Sequence, residues 1–241
     1  MLARLASLLF CGLLLLLAAC SSEPTPAPTI LPAPTVPVVG EILAQPQPGA
    51  IQTIGLLVLS AEGALLTDGL SISGATPQPV GSAVIWLEEV PPLPPEPTPV
   101  ALGAISYLVV EARGILEGPG AFGPAGAYAY RLTSPTLISR SSRDLTIDLL
   151  LRNSALYSGQ SVRLSGELLA SPQSALLVER LGPGGVPADN TRQIKLSAPL
   201  RDDAVQQQLA TSNDGRIVFG SVEILGIWRN TTLYPLIIEV R

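Results

Sequence analysis

Residues 157–185 read YSGQSVRLSGELLASPQSALLVERLGPGG, and they describe a hairpin. A strand, 161–170, bends at Gly166. A short Ser/Pro/Gln loop follows, then a second apolar strand, 175–181, and a Gly/Pro stop. An isolated glycine inside a strand marks a bulge or a sharp bend of the kind found at barrel corners.

The same style continues in both directions. Upstream, strands are expected at 51–60, 82–90, 105–116, 127–139 and 144–152. Downstream they are expected at 191–198, 216–228 and 232–241. Gly, Pro, Asn, Asp and Ser separate these runs at close spacing, the pattern of a sandwich or barrel. Asn213-Asp214-Gly215 is a tight-turn signal ahead of a strand. Gly114 and Gly220 repeat the strand-glycine feature. One helix is expected, over 198–210, with Pro199 near its start and Asp202-Asp203 in its first turn, where the helix dipole favours them. Two loops interrupt the strands. VPPLPPEPTPV (90–100) cannot form a central strand, because proline lacks the N–H, and EGPGAFGPAGAY (117–128) carries Phe122.

Val110 to Leu116 and Val162 to Leu168 share the spacing V-x-x-x-G-x-L. A strand with such a glycine running into a hairpin resembles the early strands of OB-fold barrels, and 157–185 is the better instance. The resemblance implies an all-β chain with two small OB-like β-barrels in tandem, at 50–140 and 144–241. A single β-sandwich with extra strands is the competing architecture.

The N-terminal segment sets the compartment. Arg4 precedes an apolar run, 5–17, that is too short to cross a hydrocarbon core of about 30 Å, so 1–19 reads as a secretory signal peptide. It ends Leu17-Ala18-Ala19-Cys20, which resembles the lipobox of bacterial lipoproteins. That resemblance implies cleavage before Cys20, acylation of Cys20, and an extracytoplasmic protein anchored to the cell membrane, or to the outer membrane of a diderm host. Residues 20–49 then form a Pro/Thr/Ala-rich linker, a semi-rigid spacer of polyproline II character.

Composition narrows the chemistry. There is no histidine, and Cys11 and Cys20 are both accounted for by the leader and the lipid. Ser-His-Asp and Cys-His machinery and zinc sites with N/S ligands are thereby excluded. A formal net charge of −5 with scattered Lys and Arg excludes an electrostatic nucleic-acid footprint. Glu88-Glu89 would point to opposite faces of a strand, which does not suit paired-carboxylate catalysis. No enzyme and no cofactor are expected. The candidate binding surface is Phe122, Tyr128, Tyr130 and Arg131, with the two tyrosines alternating on one strand face. Trp86 and Trp228 are expected in the core. The expected role is a non-catalytic lipoprotein that holds an envelope protein or polymer through loops 90–100 and 117–127. The other reading is a solute- or glycan-binding module serving a transporter or wall enzyme.

Overall fold

The computed structural model describes residues 35–74, 76–93, 96–182 and 185–241. The expected signal peptide, Cys20 and the linker up to residue 34 lie outside the described residues. Residues 35–241 form one compact unit.

Five strands close the first barrel: β1 (Gly49–Ser60), β2 (Gly63–Thr67), then β5 (Val84–Leu87), β7 (Ile105–Glu117) and β8 (Arg131–Ser139). A small ribbon of β3 (Leu70–Ser71) and β4 (Gln78–Pro79) stands between β2 and β5, and β6 (Val100–Leu102) extends β7. Around the ring, β1 pairs with β2, β2 with β5, β5 in parallel with β8, β8 with β7, and β7 again with β1.

The second barrel repeats the plan. Preceded by β9 (Arg143–Leu145), it is built from β10 (Gln160–Ala170), β11 (Ala175–Val178), β12 (Gln193–Leu196), β14 (Val218–Arg229) and β15 (Thr232–Val240), with β13 (Ala210–Thr211) on the edge of β14. Here too the third and fifth strands, β12 and β15, are parallel, and the fourth closes on the first. The chain is therefore two tandem five-stranded β-barrels, consistent with OB-like barrels, and not a single sandwich.

Each barrel is filled by its own side chains. Leu57, Leu66, Ile85, Leu87, Val110 and Leu132 occupy the first, and Leu164, Leu168, Leu177, Ile224, Trp228 and Leu233 the second. A third apolar layer joins them: Ile54, Leu56, Val58, Tyr107 and Val109 of the first barrel meet Leu225, Ile227, Leu236 and Ile237 of the second. The central strands are buried on both faces, which is why 54–59 reads as a continuous apolar run instead of an alternating one.

Three local expectations change. Residues 144–152 are not one strand: after β9 comes helix α2 (Ile147–Arg152), following α1 (Val39–Ala44). Thr146 caps α2 by accepting from the Leu149 N–H, and Arg152 Nε donates to Asp148 one turn earlier at 2.7 Å. The helix expected over 198–210 shortens to α3 (Asp203–Gln208), because Asp202 is its cap and Leu209 is already extended. The spacer does not run free to residue 49. Val38 and Val39 are buried, Ile54 N–H donates to Pro37, and Arg229 donates to Val36 and pairs with Glu41. Residues 36–44 thus strap both barrels.

The internal repeat also differs from the expected one. V-x-x-x-G-x-L linked the fourth strand of one barrel with the first strand of the other. Strand pairing places Gly55 with Gly166, each just before the first strand joins the second, and Gly114 with Gly226, opposite Ile51 and Val162. A Cβ at Gly55 or Gly166 would lie 2.6 or 2.8 Å from the carbonyl oxygen of Thr67 or Val178. At Gly114 or Gly226 it would lie 2.8 or 2.6 Å from that of Thr133 or Tyr234, and the register slips at both. In this frame Val110-Glu111-x-x-Gly114-Ile115 matches Val222-Glu223-x-x-Gly226-Ile227.

The matched glutamates make matched ion clusters. Glu111, almost wholly buried, pairs with Arg113 and Arg140 and accepts from Gln52 Nε2 at 2.6 Å. Glu223 pairs with Arg163 and Arg241. Burial alone would raise both carboxyls, but the guanidinium hydrogen bonds outweigh it and hold both below the ordinary glutamate value of 4.5. Because the folded values are lowered, this stabilisation is complete above the unfolded value and is lost as pH falls through the folded ones. Thermal denaturation should therefore show Tm falling below about pH 4.5, and the fall should be shallower in a Glu111→Gln/Glu223→Gln chain.

Candidate functional site

The expected surface residues come together, with one exchange. The chain between β7 and β8, residues 118–130, folds into its own hairpin, where Phe122 and Tyr128 form a backbone bridge. Trp86 of β5, expected in the core, is half-buried beneath this hairpin and stacks on Tyr128, with centroids 5.5 Å apart and planes 16° from parallel. The Arg131 guanidinium lies 4.8 Å over the Phe122 ring. Tyr130 leaves this group: it packs instead against the first barrel's core. The strand begins at Arg131, so the two tyrosines do not share one strand face.

Arg131 is the tie. It pairs with Glu117 and with Glu88, both at 2.8 Å, and so connects β7, β8 and the start of the proline-rich excursion. Its hydrogen bonds to Glu117 and Glu88 raise the Arg131 pKa, and those from Arg131 hold Glu117 below its usual range. The excursion is fastened at its other end, where Ser139 Oγ donates to the Glu96 carbonyl at 3.0 Å. The outer residues of the hairpin, 119–121 and 123–127, are small or proline, carry no charge, and are exposed except Phe122 between them.

A second place was not visible in the sequence. A pocket of about 370 Å³ opens at the junction of α1, the two barrels and the segment 196–202. Leu70, Val80, Leu200, Leu236 and Ile238 give it apolar walls. Asp68 faces it, and burial, stronger than the opposing main-chain N–H groups and the Arg201 charge, raises its carboxyl above the ordinary value. Asp202, expected as a helix-turn acid, is buried and occupied: it accepts from Ser71 Oγ and from the N–H groups of Ala204 and Val205. Asp214 closes the expected turn by accepting from Ser212 Oγ and Arg216 N–H. Among the described residues no three His, Cys, Asp or Glu side chains gather as metal ligands.

The chain matches no family model, no curated protein and no solved structure. Its own duplication supplies the comparison. In the second barrel the connection equivalent to 118–130 is a two-residue turn, Asn230-Thr231, with φ of 50° and 61°. Strand pairing sets Lys195 where the first barrel has Trp86, and Thr232 where it has Arg131. The aromatic hairpin is therefore an elaboration of one barrel and no requirement of the fold.

Proposed function

We propose that the chain is a non-catalytic, extracytoplasmic lipoprotein anchored through Cys20, and that the first barrel holds an envelope protein on the hairpin of residues 118–130. The observation that carries this reading is the contrast between the copies. One barrel closes with two residues, while the other spends thirteen on a hairpin pinned by Trp86, Tyr128, Phe122 and Arg131. In OB-like barrels the loop between the fourth and fifth strands, with the face of the second and third, is where ligands meet the fold. Trp, Tyr and Arg are also the residues that dominate protein interfaces.

A protein partner suits this surface better than a sugar. Trp86 and Tyr128 stack on each other and Phe122 lies under Arg131, so each of the three rings already gives one face to a contact within the fold. What the hairpin offers outward is a fixed, uncharged backbone contour.

A photo-crosslinking residue at Ala125 of the full chain in cells tests this, with Val186 of the second barrel as the reference position. One protein should crosslink at Ala125 and not at Val186, and Arg131→Ala should reduce its yield about tenfold, the loss of roughly 1.4 kcal/mol. Glycan fragments alone at Ala125, or equal capture at both positions, would overturn the proposal.

A further inference from the structure

The junction pocket is lined by two opposite charges, a half-buried Asp68 and an exposed Arg201, that make no ion pair among the described residues. Glu41 is engaged by Arg229 and the Val38 N–H, and Asp202 by three donors. Asp68 and Arg201 remain. Arg201 acts on Asp68 through its charge, but forms no ion pair among the described residues. Asp68 meets its own main-chain N–H and that of Gly40 and, among the described residues, no side-chain cation within ion-pair distance.

The site is also built to keep that carboxylate in place. Gly40 is the second residue of α1. A Cβ there would coincide with the Asp68 carboxylate, 2.1 Å from Oδ2. The glycine therefore admits the carboxylate against the helix. Around the two charges Leu70, Val80, Leu236 and Ile238, with Pro199 and Pro235, give an apolar wall that Ser197 and Tyr234 interrupt. The volume lies within the range of small-molecule sites, and a junction of two domains is a common place for one.

We propose that this pocket binds a small zwitterion with an aliphatic side chain, of the free amino-acid type. Its ammonium meets Asp68, its carboxylate meets Arg201, and its side chain lies on Leu70 and Leu236. One acidic and one basic side chain on the same pocket suit the two charges of such a ligand, and the leucine and isoleucine walls suit its side chain. This site shares no residue with the hairpin of the first barrel and stands apart from the partner-binding reading.

Calorimetric titration of the full chain in detergent tests it, with L-leucine, isoamylamine and isovalerate as probes. Leucine should bind, and each single-charge probe should bind at least about tenfold more weakly. Asp68→Asn should weaken leucine about 10- to 100-fold, the scale of one charge-assisted hydrogen bond, and Arg201→Gln about tenfold. Val80→Trp should fill the pocket and abolish binding at an unchanged Tm. Ala125→Asp, on the hairpin, should leave leucine binding unaltered. No heat at about 10 mM leucine, tenfold above a 1 mM dissociation constant, would overturn the proposal. So would equal binding by the single-charge probes, or unchanged affinity in folded Asp68→Asn and Val80→Trp chains.

Discussion

Replacing Trp228 with alanine should cost the chain about 3–5 kcal/mol, the usual scale for truncating a buried tryptophan. Trp228 is the largest fully buried side chain among the described residues. It sits in the second barrel's core, opposite Gln160, and its indole N–H donates to the Ser154 carbonyl at 3.1 Å, tying the connection after α2 to the barrel wall. Alanine removes the filling and leaves that carbonyl to find another donor. Against a domain stability of roughly 5–15 kcal/mol, the loss is a large share. The remaining tryptophan makes the measurement informative, because Trp86 belongs to the first barrel. In urea, Trp86 emission and far-UV circular dichroism should lose their native signals together, at a midpoint well below that of the unaltered chain. The reason is the apolar layer of Ile54, Leu56, Val58, Leu225 and Ile227 that the barrels share. If Trp86 keeps its original midpoint while the dichroism shifts, the layer does not couple the barrels.

Strands with bounded apolar runs were legible in the sequence, and so was the tandem barrel arrangement. What escaped had physical reasons. β2 lies in GALLTDGL, which carries few strand-favouring β-branched residues. IDLLLR shows only a turn and a half, too short for a helical period to stand out. The Thr146 cap and the Asp148–Arg152 pair were the available signals. V-x-x-x-G-x-L is too degenerate to set the frame of the repeat. Two less degenerate matches, Ala64-Leu65-Leu66 with Ala175-Leu176-Leu177 and V-E-x-x-G-I in both fourth strands, give the frame that strand pairing confirms. Of the aromatic surface, Phe122, Tyr128 and Arg131 were found as a group. For Trp86 the sequence points to the core, because nothing in VIWLEE tells which face a hairpin thirty-odd residues later will cover. The junction pocket was beyond reach, since Gly40, Asp68 and Arg201 meet only once both barrels are formed.

The duplication also predicts how to make this chain assemble. The second barrel docks with Leu225, Ile227, Tyr234 and Ile237 on the first barrel's Ile54, Leu56, Val58, Tyr107 and Val109. This contact is head-to-tail, so each barrel owns a copy of both faces, and each copy that the pair leaves unused is more polar. Where the second barrel has Leu225, Tyr234 and Ile237, the first has Arg113, Thr133 and Thr136, leaving Ile115 48% exposed. Where the first has Ile54, Leu56 and Val109, the second has Ser165, Glu167 and Ser221, with Ser221 Oγ donating to Glu167 at 2.6 Å. A head-to-tail interface whose rotation does not close grows without limit, and repeat arrays end it with polar outer faces. Arg113 and Glu167 are those ends here. Restoring one face with Arg113→Leu and Thr136→Ile, and the other in a separate chain with Ser165→Ile, Glu167→Leu and Ser221→Val, should give two variants that each sediment as the unaltered chain does. Mixed in equal amounts they should form a one-to-one complex, and all five changes in one chain should give concentration-dependent oligomers without a fixed size. If the mixture shows no association, the polar residues are not what stops the stack, and the barrel–barrel contact depends on the strap of residues 36–44 instead.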